Sequence, residues 1–281
     1  MSTINEELKN ATIEAIFWWK NIERFYHYQF KEMDSILNKG EDYQEFFILK
    51  FFNPFLKEYS VRRNIKKGDE SVLKFLKDLK DHKDIKFFKD LNQKDKIDKT
   101  LIDDTSEYLK GTHWTNGKNC KSLLSKIAFT IRPDQFYIYD SLAKSSIREY
   151  RTKLNAHFKD KPKILSKNLD HYDEFYRSAD KLKEFYNEDL KKVIKEFQEE
   201  IHYSCKELIK DDYKALKMRI IDKHLWIKSQ EKNNERNNKN KTENIEFNTN
   251  NHLIYEKYNK HFPLYLKNKR QNIEADHEAN K

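Results

Sequence analysis

Turn-forming residues are scarce in this sequence. Its 281 residues include only four glycines and four prolines, where average usage is roughly 12% for the two together. β-Sandwiches, barrels and propellers need such residues at close intervals, so the shortage argues against them. Neither G-x-G-x-x-G nor G-x-x-x-x-G-K occurs, which removes phosphate cradling by a Gly-rich loop. Two cysteines, Cys120 and Cys205, are too few and too far apart for a disulfide framework or a structural zinc site. The ten histidines show no H-x3-H or H-E-x2-H spacing, so neither a metal nor another cofactor is expected. No apolar run approaches the roughly 20 residues that span a bilayer. Met1 to Lys9 also lack the apolar stretch of a signal peptide. The expected location is the cytoplasm, with no membrane partner.

What remains is an all-α chain. Apolar residues make up 37%, charged residues 37% and aromatics 14%, and the large aromatics supply core volume that the modest apolar fraction would not. The formal net charge is +9. That surplus suits a polyanionic partner such as nucleic acid, DNA above all, and it equally suits a lysine-rich composition with no such partner.

Helical spacing is clearest from Thr12 to Leu37, where Ala15, Trp19, Ile22, Tyr26, Phe30, Met33 and Leu37 form one apolar stripe. Gly40 is a stop signal, and a second aromatic run, Tyr43 to Phe52, should halt at Asn53-Pro54. Helical patterns follow at Ser71–Leu79, Asp84–Leu91, Lys94–Lys110, Tyr172–Phe185 and Leu190–Leu208, with a last helix from about Asp212. Four regions result: an N-terminal helical region 1–110, a region 111–228, an Asn/Lys-rich flexible linker 229–251, and a docking or disordered tail 252–281.

Region 111–228 carries a chemical layout. Asn116-Gly117 reads as a tight turn opening a helix, Lys121–Ile131, which Pro133 ends. The aromatic segment Phe136-Tyr137-Ile138-Tyr139 then delivers Asp140 and Ser141 to the start of the next helix. An Asp there is by default an N-cap; the alternative is a carboxylate in an aromatic pocket, able to act as a general base.

This order of turn, helix, apolar loop and acid resembles the helix-hairpin-helix DNA glycosylase superfamily. Gly117-Lys118-Asn119-Cys120-Lys121 takes the place of its G-h-G-x-K hairpin, with Asn119 at the second glycine, a residue that visits the left-handed region. Lys121 precedes Asp140 by 19 positions. A closer resemblance is to a set of uncharacterised bacterial helical proteins, through Ser125-Lys126, Arg132-Pro133, Phe136-Tyr137-Ile138-Tyr139-Asp140-Ser141 and Asp222-Lys223-His224-Leu225-Trp226. The departures are a degraded hairpin, Ser141 where many members have Thr-His or Val-His, and no four-cysteine iron–sulfur loop.

The resemblance implies a DNA-binding protein that removes modified bases, and the closer set suggests a setting in phage defence. Asp140 would stabilise the oxocarbenium ion and orient the attacking group. Lys121 by one spacing, or Lys126 by the other, would be the nucleophile. Five positions apart, the two point about 140° away from each other on one helix, and each also reads as a solvated side chain. Trp114, Phe136, Tyr137 and Tyr139 would stack on a base or fill the core, and Gly117, Lys118 and Asn119 would meet phosphate. Two other readings stand beside it: a non-catalytic nucleic-acid-binding or regulatory module on the same scaffold, and a ribonuclease resembling the HEPN type through Arg151 and His157.

Overall fold

The structure is a computed structural model and describes residues 3–241, apart from 84, 94, 116, 199, 200 and 202–204. The chain divides into Met1–Lys232 and Asn233–Lys281. Among the described residues there is no strand, only an isolated bridge between Ile65 and Thr115.

The first helix begins earlier than its apolar stripe suggests. Thr3 caps α1 (Ile4–Trp18) in a capping box: its side chain accepts from the Glu6 N–H, and Glu6 Oε2 accepts from the Thr3 N–H at 2.7 Å. The helix widens into a π-turn over Trp19–Glu23 and resumes as α2 (Arg24–Lys31). The stripe itself is as expected, since Ala15, Trp19, Tyr26, Phe30, Met33 and Leu37 are all buried. Gly40 interrupts the helices as expected, between α3 (Met33–Ile36) and α4 (Glu41–Phe47).

Asn53-Pro54 does not halt the second run. α4 passes through a π-turn, Ile48–Phe52, straight into α5 (Asn53–Glu58). Proline lacks the N–H and clashes with the carbonyl four residues back. Where the ladder changes from five-residue to four-residue spacing, neither penalty is incurred in full. Phe55 can then pack on Phe30, with ring centroids 4.6 Å apart.

Next come α6 (Asp69–Asp81), α7 (Phe87–Gln93), α8 (Thr100–Lys110), α9 (Lys121–Ile131), α10 (Ser141–His157), α11 (Tyr172–Phe185) and α12 (Asn187–Glu196). The bounds of α9 and α11 are those the spacing gives. The last helix, α13, runs Lys210–Lys241, so residues 229–241 of the expected linker are helical. The remainder of the linker and the 252–281 tail lie outside the described residues.

Regions 1–110 and 111–228 contribute to one hydrophobic core, because α2 and α8 both pack on α9. That helix is the centre of the fold. Every residue from Leu123 to Ile131 is buried, which requires a helix apolar on all sides. Lys126 is the charged exception. Cys120 and Cys205 are both buried.

One buried titratable group bears on stability. His224 on α13 shares a 2.7 Å hydrogen bond through Nε2 with the Tyr150 hydroxyl of α10. Burial, with Lys228 nearby, pulls its pKa from 6.5 to about 4. A histidine held neutral by the fold stabilises it above pH 6.5, and that contribution is lost as pH falls toward 4. Acid melts should show a loss on the order of 3 kcal/mol across this window. His224→Gln should flatten that limb; an unchanged limb would show that His224 does not titrate there.

Candidate functional site

Asp140 is placed by three consecutive pinned amides. The Tyr137 N–H donates to the Tyr172 hydroxyl at 3.1 Å, and the Ile138 N–H to both oxygens of Asp222 at 3.0 and 3.2 Å. The Tyr139 N–H donates to Ser125 Oγ at 3.0 Å. A segment with no strand partner thus satisfies its donors on side chains of α11, α13 and α9. At its end Asp140 caps α10, Oδ1 accepting from the Ala143 N–H at 2.8 Å. The two readings of Asp140 are compatible: it caps the helix and also lines a cavity.

That cavity has a volume of about 670 Å³. Trp18, Tyr59, Tyr139 and Trp226 give it aromatic surface; Asp140, Lys126, Asp222 and Lys223 give it chemistry. Lys126 is not the solvated side chain its composition suggests. It is 8% exposed, and Nζ donates to the Tyr59 carbonyl at 3.1 Å. That carbonyl is available because α5 ends there. Ser60 takes a left-handed φ of 55°, and the Val61 N–H reaches back to the Leu56 carbonyl at 2.9 Å, a Schellman turn with serine where glycine is usual. Burial lowers the Lys126 pKa, and Asp140 opposes that by favouring the ammonium.

The cavity's inner wall comes from charges inside α13. Arg219 makes a bidentate pair with the fully buried Glu23 of the first π-turn, Nε to Oε2 at 3.0 Å and a second contact through the other oxygen. Its Nη1 lies 3.6 Å from Asp222. Burial works against the Arg219 charge, but Glu23 and Asp222 outweigh it and raise the pKa. Burial pushes the Asp222 pKa up to about 8 against the pull of Arg219 and the Ile138 N–H.

Other expected site residues lie elsewhere. Lys121 faces away from the cavity, paired at 2.6 Å with Asp103 and donating to the Asp170 carbonyl; the 140° offset from Lys126 sends it to the α8 side. Phe136 and Tyr137 are fully buried, Tyr137 bonding Asp180, so both belong to the core and cannot stack on a base. Trp114 donates to Asp78 at 2.7 Å under the Lys74 ammonium, outside the cavity. Tyr139 and Ser141 do line it.

The turn before α9 is real but differs in detail from the expected hairpin. Gly117 has φ of 65°, and Asn116 lies outside the described residues. Asn119 does not take a left-handed φ. Its Oδ1 instead accepts from the Lys121 N–H at 2.9 Å and from Ser106 at 3.1 Å, an Asx turn that serves the helix start. Asn119 reaches the cavity rim, and Gly117 and Lys118 are exposed beside it. Arg151 and His157, six positions apart on α10, point about 120° away from each other. Neither lines the cavity, and the His157 ring packs edge-on to Phe158 and Phe185.

Trp18, Tyr59 and Arg219 are site residues that sequence reasoning did not single out, and Asp222, Lys223 and Trp226 entered only through the late motif, with no role assigned. The available signal was charge inside an apolar stripe: Arg219, Asp222 and Lys223 interrupt Leu216, Ile220, Ile221 and Leu225. No group of His, Cys, Asp and Glu suited to a metal ion occurs among the described residues, and no helix there is long and apolar enough to cross a membrane. No family model, curated protein or solved structure matches this chain.

Proposed function

We propose that this protein binds DNA and cleaves the N-glycosidic bond of a modified nucleotide extruded into the cavity. The observation that carries the reading is that Asp140 and Lys126 line one aromatic-walled cavity. A flipped base needs flat apolar walls, and its sugar needs a fixed carboxylate; Trp18, Tyr139 and Trp226 supply the first and Asp140 the second. The net charge of +9 and the exposed Gly117-Lys118-Asn119 turn suit the phosphate backbone.

In this mechanism the C1′–N bond breaks, its electron pair leaves with the base, and Asp140 stabilises the positive charge left on the sugar. Lys126 in its amine form adds to C1′ and passes a proton to Asp140. The C1′–O4′ bond then opens as O4′ takes that proton from Asp140, leaving a Schiff base. Burial of Lys126 increases the amine fraction that this step needs.

The test is incubation with duplexes and single strands that each carry one modified base, in the presence of borohydride. A reduced adduct should form and map to Lys126, and Lys126→Met should lose it. An adduct on Lys121 would overturn the assignment of the amine. No abasic product on any strand, with binding that weakens steeply in salt, would make the chain a binding module.

A further inference from the structure

Lys223 is the unexplained polar group of the cavity. It is 5% exposed and lines the cavity, yet its Nζ makes no hydrogen bond or ion pair with any described residue. Its neighbours are two indole faces: Nζ lies 3.9 Å from the centroid of Trp18 and 5.2 Å from that of Trp226. The cationic form gains from such faces, and in either protonation state the nitrogen keeps N–H donors that no described residue takes.

The two carboxylates nearby are engaged by other donors. Both Asp222 oxygens accept from the Ile138 N–H, and Arg219 flanks them. Both oxygens of Glu23 are held by Arg219. Burial pulls the Lys223 pKa well below the usual lysine value and Arg219 adds to that, against Glu23, Glu14 and Asp222, which favours an amine with two N–H donors and one lone pair. The aromatic slot therefore presents donors to whatever enters it.

Given the reading that a base enters this cavity, we infer that Lys223 selects bases whose edge presents a carbonyl oxygen over the isosteric bases that present an amino group there. A ring lying against Trp18 or Trp226 brings its edge to Nζ. A carbonyl at that edge accepts from the unused donors, whereas an exocyclic amino group can at most meet the amine's single lone pair and leaves those donors unused. Lysine recognises ring acceptors in this way in duplex grooves, and a site with buried donors rejects a ligand that leaves them unpaired.

The experiment is binding, read by tryptophan fluorescence, to single strands of abasic-analogue spacers carrying one central base. Hypoxanthine is compared with adenine, and uracil with cytosine, in an Asp140→Asn background so that nothing turns over. The carbonyl-bearing member of each pair should bind about tenfold more tightly. Lys223→Met should bring each ratio within about twofold, and Lys223→Arg, which keeps the donors, should retain a preference. Equal binding within each pair, a preference for the amino-bearing base, a preference that survives Lys223→Met, or no binding to any strand would overturn the inference. If Lys223→Met does not fold, the ratios in the Asp140→Asn parent and in Lys223→Arg still decide. Base release by the wild-type chain, measured on the same strands, separates the two ideas. Selective binding without release removes the glycosylase and leaves the selectivity; release without selective binding does the reverse.

Discussion

Asp140→Asn is expected to lower base release by about 10³-fold, in the range that positioned general bases and charge stabilisers supply, while melting close to the wild type. The reason lies in the double role of the side chain. Oδ1 caps α10 by accepting from the Ala143 N–H, and an asparagine Oδ1 does the same. The substitution keeps the cap and removes the charge facing the cavity. Asp140→Ala removes both and should cost a further ~1 kcal/mol of stability. Single-turnover base release, with thermal melts of both variants, checks this. If Asp140→Asn releases bases at the wild-type rate, Asp140 is only a cap.

Arg219→Met should destabilise the fold by about 3–5 kcal/mol, the usual cost of removing one partner of a buried ion pair. Glu23 is 0% exposed and would be left with an uncompensated charge. The same change withdraws the neighbour of Asp222, which holds the Ile138 N–H two residues before Asp140. Glu23→Leu combined with Arg219→Met should recover most of the loss, because well-packed apolar residues replace a buried pair at little cost. Denaturant titration of the two single variants and the double variant measures the coupling. A single variant within 1 kcal/mol of wild type would show that the pair does not hold the inner wall.

Local pattern made the scaffold legible. The 3–4 spacing and Pro133 delimit α9, and the aromatic run followed by Asp140 marks the start of α10. Choosing between Lys121 and Lys126 needed the third dimension: spacing to Asp140 favours one, while the packing of α8 against α9 takes that one to Asp103. Trp18 and Trp226 approach the cavity from nearly opposite ends of the described chain, a contact no window of sequence contains. Pro54 misled for a different reason. A π-turn cannot be read from residue types, so a helix that tolerates proline through one looks like a helix that stops. Arg219, Asp222 and Lys223 were visible as charges in an apolar stripe, but their partners, Glu23 and Ile138, were not.

The burial of α9 on every side has a kinetic consequence. Amides in such a helix open only when the whole unit opens, whereas chain ends and exposed turns open locally and often. Lys126 therefore sits on the least yielding wall of the cavity. Under the proposed function, a bulky nucleotide would have to be accommodated elsewhere in the lining, at the half-buried Trp18 and Trp226 rings. Changes of substrate preference would then accumulate at those rings, while the amine and its helix stay as they are.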